Sequence, residues 1–477
     1  MTFSSVTFLI FFLIVYGSIL IFNSKKLCAK LSEKAQLACK HWILLIGSYV
    51  FYGWWDYRFC ALLLFLTAIA WFCARKIQQQ KHRKLYVFIG VVVPLLVLGI
   101  FKYFNFFVSS FCTVFGIDDS GVLQILLPVG ISFYTFQSLS YTIDVLRGSI
   151  PSASFVDVAL YISFFPQLVA GPIVKASDFI PQLSSNHRLN LQDLSKGAQI
   201  FLMGLFKKIV VADNLSPFVD SIFEKPLAFS SGTVILAVVA YSIQIYCDFS
   251  GYSDMAIGTA RCLGYHFLPN FNMPYISKNV TELWKRWHIS LSTWLREYLY
   301  ISLGGNRRGN RYVNLMITMV LGGLWHGANY TFIIWGFLHG LALCVHKVFV
   351  KLRKGRKGTA LGGILSVALT YVFVCICWVF FRAENLQLAL DVLSRMFLWQ
   401  SGITHIHSWT VFAIAVMVIS HLVAWIRSKK QGAPTVNGFY PILDLNKLWA
   451  LVLVFFVFLL TMALAYTNAN PFIYFQF

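Results

Sequence analysis

Long apolar runs separated by short basic stretches make up most of this chain. About 20 apolar residues are needed to cross the hydrocarbon core of a bilayer, so each run is a candidate span. The first extends from Val6 to Phe22 and is followed by Lys25, Lys26, Lys30, Lys34 and Lys40, with nothing charged before it. The excess of lysine and arginine on cytoplasmic loops predicts an outside N-terminus and a cytoplasmic first loop. With no basic residue ahead of it and no convincing cleavage site behind it, this run reads as a retained span, not a signal peptide. Two shorter runs, His41 to Trp54 and Phe59 to Cys73, flank an interfacial turn at Gly53-Trp54-Trp55-Asp56 and return as a hairpin to the basic stretch Arg75 to Lys84. Leu85 to Phe107 leads outward to Asp118 and Asp119, and Leu123 to Leu146 leads back. Pro128 and Gly130 predict a kink or break in that return, with Gln137, Ser138 and Ser140 at depth, where polar groups need protein or water for company. Asp157 to Ala170 is short for a crossing and reads as a re-entrant or interfacial piece.

Polar residues intrude further along. Lys196 to Phe223 carries Lys207, Lys208 and Asp213; Val234 to Ile257 carries Gln244, Asp248, Ser250, Ser253 and Asp254. Asp248 and Asp254 fall on different faces of a regular helix, and Gly251 offers a break between them. They either pair with nearby bases or line a polar path. Thr281 to Leu303 interleaves Trp284, Trp287, Trp294 and Tyr298 with Lys285, Arg286, His288 and Arg296, which predicts an amphipathic helix at the cytoplasmic interface. Arg307, Arg308 and Arg311 keep the next turn cytoplasmic. Tyr312 to Tyr330 and Thr331 to Lys347 form a hairpin with His326 near its far end, and the cluster Lys351 to Lys357 marks the return. Gly362 to Phe381, Trp409 to Ile426 and Leu448 to Tyr466 are further spans, with Arg427, Lys429 and Lys430 in the last cytoplasmic loop. The pattern predicts an all-α polytopic membrane protein, one domain over 1–477, with about twelve crossings and both termini outside. No internal repeat is visible, which weakens a secondary-transporter reading.

Composition changes the picture only in what it excludes. The chain is 58% hydrophobic and 12% charged, against roughly 25% charged in a soluble domain. A net charge of +21 would suggest nucleic acid in a soluble protein. Here basic cytoplasmic loops account for it, so no nucleic-acid partner is expected. The ten cysteines contain no CxxC pair and read as buried thiols, not disulfides or metal ligands. H-E-x-x-H, Walker and G-x-S-x-G motifs are all missing from the sequence, so metalloprotease, nucleotide hydrolase and serine hydrolase readings lack support.

The chemistry concentrates in histidines. His326 lies in an apolar run between Trp325 and Gly327, and an ionisable group within a span is a functional candidate by default. Neutral imidazole can take a proton from a hydroxyl and return it, as acyl transfer from a thioester requires. Gly323 and Gly327 leave room beside Trp325 for a substrate. The residues equally allow a histidine that only bonds between helices. His288, in RWHIS, sits among basic and aromatic residues suited to the phosphates and adenine of a coenzyme A donor, or to anionic lipid head groups. His339 reads as a helix-packing residue.

Several stretches together resemble the membrane-bound O-acyltransferases, in particular the bacterial branch that O-acetylates exported polysaccharides. They include LLPVGISFYTFQSLSYTIDVLRG (126–148), FFPQLVAGPIVKASDFIPQL (164–183), FNMPYISKNVTELWKRWHISLSTWLREYLYISLGG (271–305) and LGGLWHGANYTFIIWGFLHG (321–340). The densest motif region spans about 120–345. The resemblance implies a helical body with short tilted and re-entrant helices around a central tunnel. It implies an inner-membrane O-acetyltransferase that takes acetyl from cytoplasmic acetyl-CoA, holds no permanently bound cofactor or metal, and serves a peptidoglycan or alginate-like exopolysaccharide acceptor through a periplasmic SGNH-esterase-like partner. The family's catalytic histidine falls on His326 in WHGAN and its second histidine on His288. Arg286, Trp287, Trp325 and Asn329, which flank them, are the candidate donor-binding residues. Two rivals stay open: transfer from a carrier-protein thioester, as for D-alanine, and a transporter that moves a solute without chemistry.

Overall fold

The computed structural model describes residues 1–22, 32–118, 122–169, 171–185, 189–353, 359–431, 442–466 and 472, without the side chains of 424 and 427–431. The loop residues Lys25, Lys26, Lys30, Asp119, Lys354, Arg356 and Lys357 lie outside that set, and so do the side chains of Arg427, Lys429 and Lys430. In chain order the helices are α1 (Val6–Phe22), α2 (Glu33–Asp56), α3 (Phe59–Gln78), α4 (Arg83–Phe115), α5 (Ile131–Arg147), α6 (Phe155–Ser163), α7 (Phe165–Leu168), α8 (Ala176–Leu183), α9 (Leu191–Leu205) and α10 (Asp213–Glu224). They continue as α11 (Ser231–Cys262), α12 (Val280–Leu283), α13 (Ile289–Trp294), α14 (Arg311–His326), α15 (Tyr330–Leu352), α16 (Ala360–Arg382), α17 (Leu386–Phe397), α18 (Ser408–Gln431) and α19 (Leu448–Ala463). Among the described residues the only β pairing is an isolated bridge between Phe229 and Ile403. By length and composition α3, α4, α11, α15 and α16 can each cross a membrane, and α1 and α19 are shorter apolar helices. The protein is an all-α, multi-pass membrane protein.

Local chemistry explains where the helices depart from the apolar runs. The run at His41 is short, yet α2 begins eight residues earlier, because Ser32 caps it by accepting a hydrogen bond from the Ala35 N–H. The return segment 123–146 is not helical throughout. Gly130 takes a left-handed φ of 76°, a Cβ there would lie 2.7 Å from the Leu168 carbonyl, and helix α5 starts only at Ile131. The short piece at 157–170 becomes two helices, α6 and α7, with Pro166 in the first turn of α7. One expectation is corrected: Gly251 does not interrupt its helix, since α11 runs unbroken from Ser231 to Cys262.

Contacts divide the chain into two compact units, Met1–Phe201 with Met255–Phe267, and Leu202–Asp254 with Leu268–Phe477. In the first, Phe8, Phe11, Phe51 and Phe165 stack into an aromatic core. Beside it, His41 bridges Asp157 at 3.0 Å and the Leu183 carbonyl at 3.1 Å. The polar face of α5 is buried, including Gln137, Ser138 and Ser140.

In the second unit both lysines of the 206–212 turn are paired with aspartates. Lys207 meets Asp254 at 2.6 Å; Lys208 meets Asp213 at 2.8 Å and Asp248 at 2.5 Å. The two aspartates of α11 stay on separate faces, and each receives its own lysine from the π-helical turn Phe206–Ala212. Gly251 makes this possible by close approach: a Cβ there would sit 2.7 Å from the Gly204 carbonyl. Breaking a buried pair by removing one partner leaves uncompensated charge. Lys208→Met is therefore expected to destabilise the protein by about 3–5 kcal/mol, read as a lowered thermal midpoint in detergent, while Asp248→Asn costs less because Lys208 keeps Asp213.

Candidate active site

The second unit builds a site from two segments. The first is the hairpin of α14 and α15, whose turn begins at His326, the last residue of α14. Lipid gives helices no hydrophobic reason to associate, so close approach of small residues has to supply the contact. Glycines do this here. A Cβ on Gly323 would overlap the Phe332 carbonyl, one on Gly336 the Met319 carbonyl, and one on Gly327 the Phe332 ring. Asn329 caps α15 by accepting from the Thr331 N–H at 3.0 Å and donates to the Glu384 carbonyl at 2.7 Å, which ties the turn to the end of α16. His326 is thereby set edge-on against Trp335 (5.0 Å between ring centroids) and Phe381 (5.1 Å), and beside Trp325 (5.1 Å).

The second segment overturns the expected amphipathic helix at 281–303. Helix α12 ends at Leu283, α13 begins only after His288, and Leu295–Tyr300 forms a π turn. The reason is a competing partner: the segment zips onto the loop at 270–272. Asn272 N donates to Arg286 O at 2.7 Å, and Ile289 N donates to Asn270 O at 2.8 Å. Trp287, Leu291, Trp294, Leu295 and Tyr298 are buried and do not lie in an interface. His288 takes φ 42° and ψ 56°. A non-glycine residue held in the left-handed region is strained, and such strain gathers at functional sites.

That distortion delivers His288 to His326. The two rings, 38 residues apart in sequence, have centroids 6.5 Å apart, and Trp325 touches both. His288 is 0% exposed and His326 4%. Phe249 stands edge-on to His288 at 4.6 Å, with Phe271 on another side. Burial pushes the His288 imidazole below its ordinary pKa, so the ring is neutral at pH 7. The pair is buried among aromatic rings, and the neutral imidazole of His288 is the form that can take up a proton.

The remaining candidates divide. Trp287 packs on Phe271 (5.0 Å) and Trp378 (4.8 Å) behind His288. Arg286 is half-buried and engaged with Glu282 at 2.9 Å and the Asn272 carbonyl at 3.1 Å, and Asn329 is engaged in its cap. His339 lies in a box of Trp284, Trp335 and Phe373, with Trp335 touching it on one side and His326 on the other. Reading by sequence missed Trp335, Phe381 and above all Asn270, which bonds His288; an asparagine in a polar loop carries no hydropathy signal. A cavity of about 460 Å³ adjoins the His326 turn, lined by Gly327, Asn329, Phe332, Arg382 and Glu384. Among the described residues no group of three or more His, Cys, Asp or Glu could hold a metal.

A pair of histidines buried among aromatic rings in a multi-pass protein is an arrangement that can take up and return protons away from bulk water. The chain belongs to the membrane-bound O-acyltransferase family, whose model matches residues 44–383, and it is an acyltransferase. It is 41% identical over 439 residues to the probable alginate O-acetylase AlgI of Pseudomonas aeruginosa, covering 89% of this chain and 80% of that one. It is 38% identical to the peptidoglycan O-acetyltransferase of Helicobacter pylori, over 76% of this chain and 74% of that one. A teichoic acid D-alanyltransferase of Bacillus subtilis is 27% identical over 54% of this chain and 69% of its own length.

The glycine seam gives a test. Alanine at Gly323 forces the two helices apart, displacing His326 by on the order of an ångström, which is expected to lower acyl transfer about 100-fold. Gly17, with nothing within 4 Å of its would-be Cβ, is the matched control: Gly17→Ala leaves transfer unchanged in the same assay.

Proposed function

We propose that this protein is an inner-membrane O-acetyltransferase. It takes acetyl from cytoplasmic acetyl-CoA and passes it across the membrane toward hydroxyls of a cell-envelope polysaccharide, through a periplasmic SGNH-esterase-like partner. The observation that carries the reading is the facing pair of buried histidines, His326 and His288. His326 acts as general base or relay as the acceptor oxygen attacks the thioester carbonyl. His288 sits on the donor side, with Trp287 and Trp325 as packing walls. The basic stretches support the direction of transfer: α14 follows Arg307, Arg308 and Arg311, and α16 follows the cluster Lys351 to Lys357. By the positive-inside rule their other ends, at His326 and Arg382, face outward, and the polar cavity beside them is a suitable exit. The acetyl-transferring relatives match at higher identity and over more of the chain than the D-alanyl-transferring one, which favours acetyl-CoA over a carrier-protein thioester. A central tunnel joining the two faces belongs to this proposal.

The test is release of free coenzyme A thiol from acetyl-CoA by the purified protein in nanodiscs, with its partner and acceptor added. Loss of a general base costs 10²–10⁴-fold, so His326→Ala is expected to lower release about 100-fold or more. Full release by that variant removes His326 from the chemistry. Release that depends on an acylated carrier protein and ignores acetyl-CoA replaces the donor.

A further inference from the structure

Several donors converge on one buried oxygen beside His288. Asn270 is 1% exposed, in the loop that pairs with the histidine's segment. Its Oδ1 lies 3.1 Å from the Ser290 N–H nitrogen, 2.9 Å from Ser290 Oγ and 3.2 Å from His288 Nδ1. Its Nδ2 donates to Ser253 Oγ at 3.1 Å, and its backbone carbonyl accepts from Ile289 N at 2.8 Å. A backbone N–H can only donate, so the Asn270 atom facing Ser290 N is the oxygen, and the amide has one orientation. A carbonyl oxygen can only accept, so His288 Nδ1 carries the hydrogen. Neutral imidazole has a single N–H. The other nitrogen, Nε2, is therefore a bare lone pair, and it is buried with no hydrogen-bond partner among the described residues.

We infer that Asn270 is a positioning residue that locks His288 as its Nδ1–H tautomer and so commits Nε2 to accepting a proton. The inference rests on the acyl-transfer reading and deepens it. A neutral His288 held this way cannot donate to the thioester carbonyl and so does not polarise it; it is a second base. The acceptor hydroxyl gives its proton to His326, and its oxygen bonds the carbonyl carbon. The C–S bond breaks with its electron pair on sulfur. The proton passes to Nε2 of His288 and from there to the thiolate, which leaves as free thiol with both rings neutral again. The same residue also holds the strained backbone at His288, its main-chain carbonyl through Ile289 and its side-chain oxygen through Ser290, so ring orientation and tautomer are fixed together.

The rings packed on His288 belong to Phe249, Phe271, Trp325 and His326, and only the last of these titrates. Asn270→Asp is isosteric and places a carboxylate on Nδ1, which favours the imidazolium and so raises the pH at which Nε2 takes up a proton. An adjacent opposite charge shifts a pKa by about 1–3 units, so the acid limb of the thiol-release profile is expected to move up by about one unit or more, with release about tenfold or more below wild type at pH values under that limb. A second readout is independent of turnover: solid-state NMR of protein labelled with ¹⁵N-histidine, the His288 signals assigned by their loss in His288→Gln. The expected wild-type spectrum has a protonated Nδ1 and a bare Nε2, and in Asn270→Asp the doubly protonated ring sets in at a pH about one unit or more above the wild type. A wild-type His288 with the hydrogen on Nε2, or an Asn270→Asp protein with the wild-type spectrum and pH profile, overturns the inference. A wild type that transfers acetyl from no donor removes the function instead, and the spectrum still decides the tautomer.

Discussion

Backbone-to-backbone contact between α14 and α15 is the constraint on which the position of His326 depends. In hydrocarbon there is no water to expel between two helices, so dispersion over a close seam has to hold them. Gly323, Gly327 and Gly336 supply that seam at the positions where any side chain would strike a carbonyl or a ring. With the helices that close, His326 has nowhere to go but against Trp335 and Phe381. The histidine's position is thus set by what its neighbours lack.

The same solvent dictates how charge is handled. Lys208 is buried and Lys207 half-buried, and they survive there because three aspartates are within reach. Such networks add little net stability, because desolvation offsets attraction, but they punish any change of register severely. They are well suited to fixing α11 against the π turn Phe206–Ala212 and the start of α10. Helix α11 also carries Phe249 and Ser253, the first packed on His288 and the second bonded to Asn270. A charge pairing chosen for burial therefore also sets the walls around His288.

Much of this was legible in hydropathy. Val6–Phe22 is helical over the predicted limits, and the 312–347 hairpin with His326 at its turn emerged as expected, because long apolar periodicity leaves few alternatives. Asp248 and Asp254 found basic partners, though through a continuous helix. What failed was the stretch 281–303. Its alternation of aromatic and basic residues fits a helix at an interface, but its backbone bonds go to Asn270 and Asn272, and nothing local announces a pairing with a loop ten residues upstream. Arg286 reads as a phosphate ligand in one dimension and turns inward to Glu282 in three. Asn270 was invisible for the same reason: its importance lies in which atoms surround it. Motif resemblance located both histidines; only the fold shows that they face each other.

The walls of the chamber have an optical consequence. Trp325 touches both histidines, and Trp335 lies against His326 and His339. A protonated imidazole quenches the emission of an indole in contact with it, whereas a neutral one does so weakly. The protein's own fluorescence therefore carries the charge state of the histidines beside those indoles, and a proton arriving on any of these rings would dim the light next to it, with no label added.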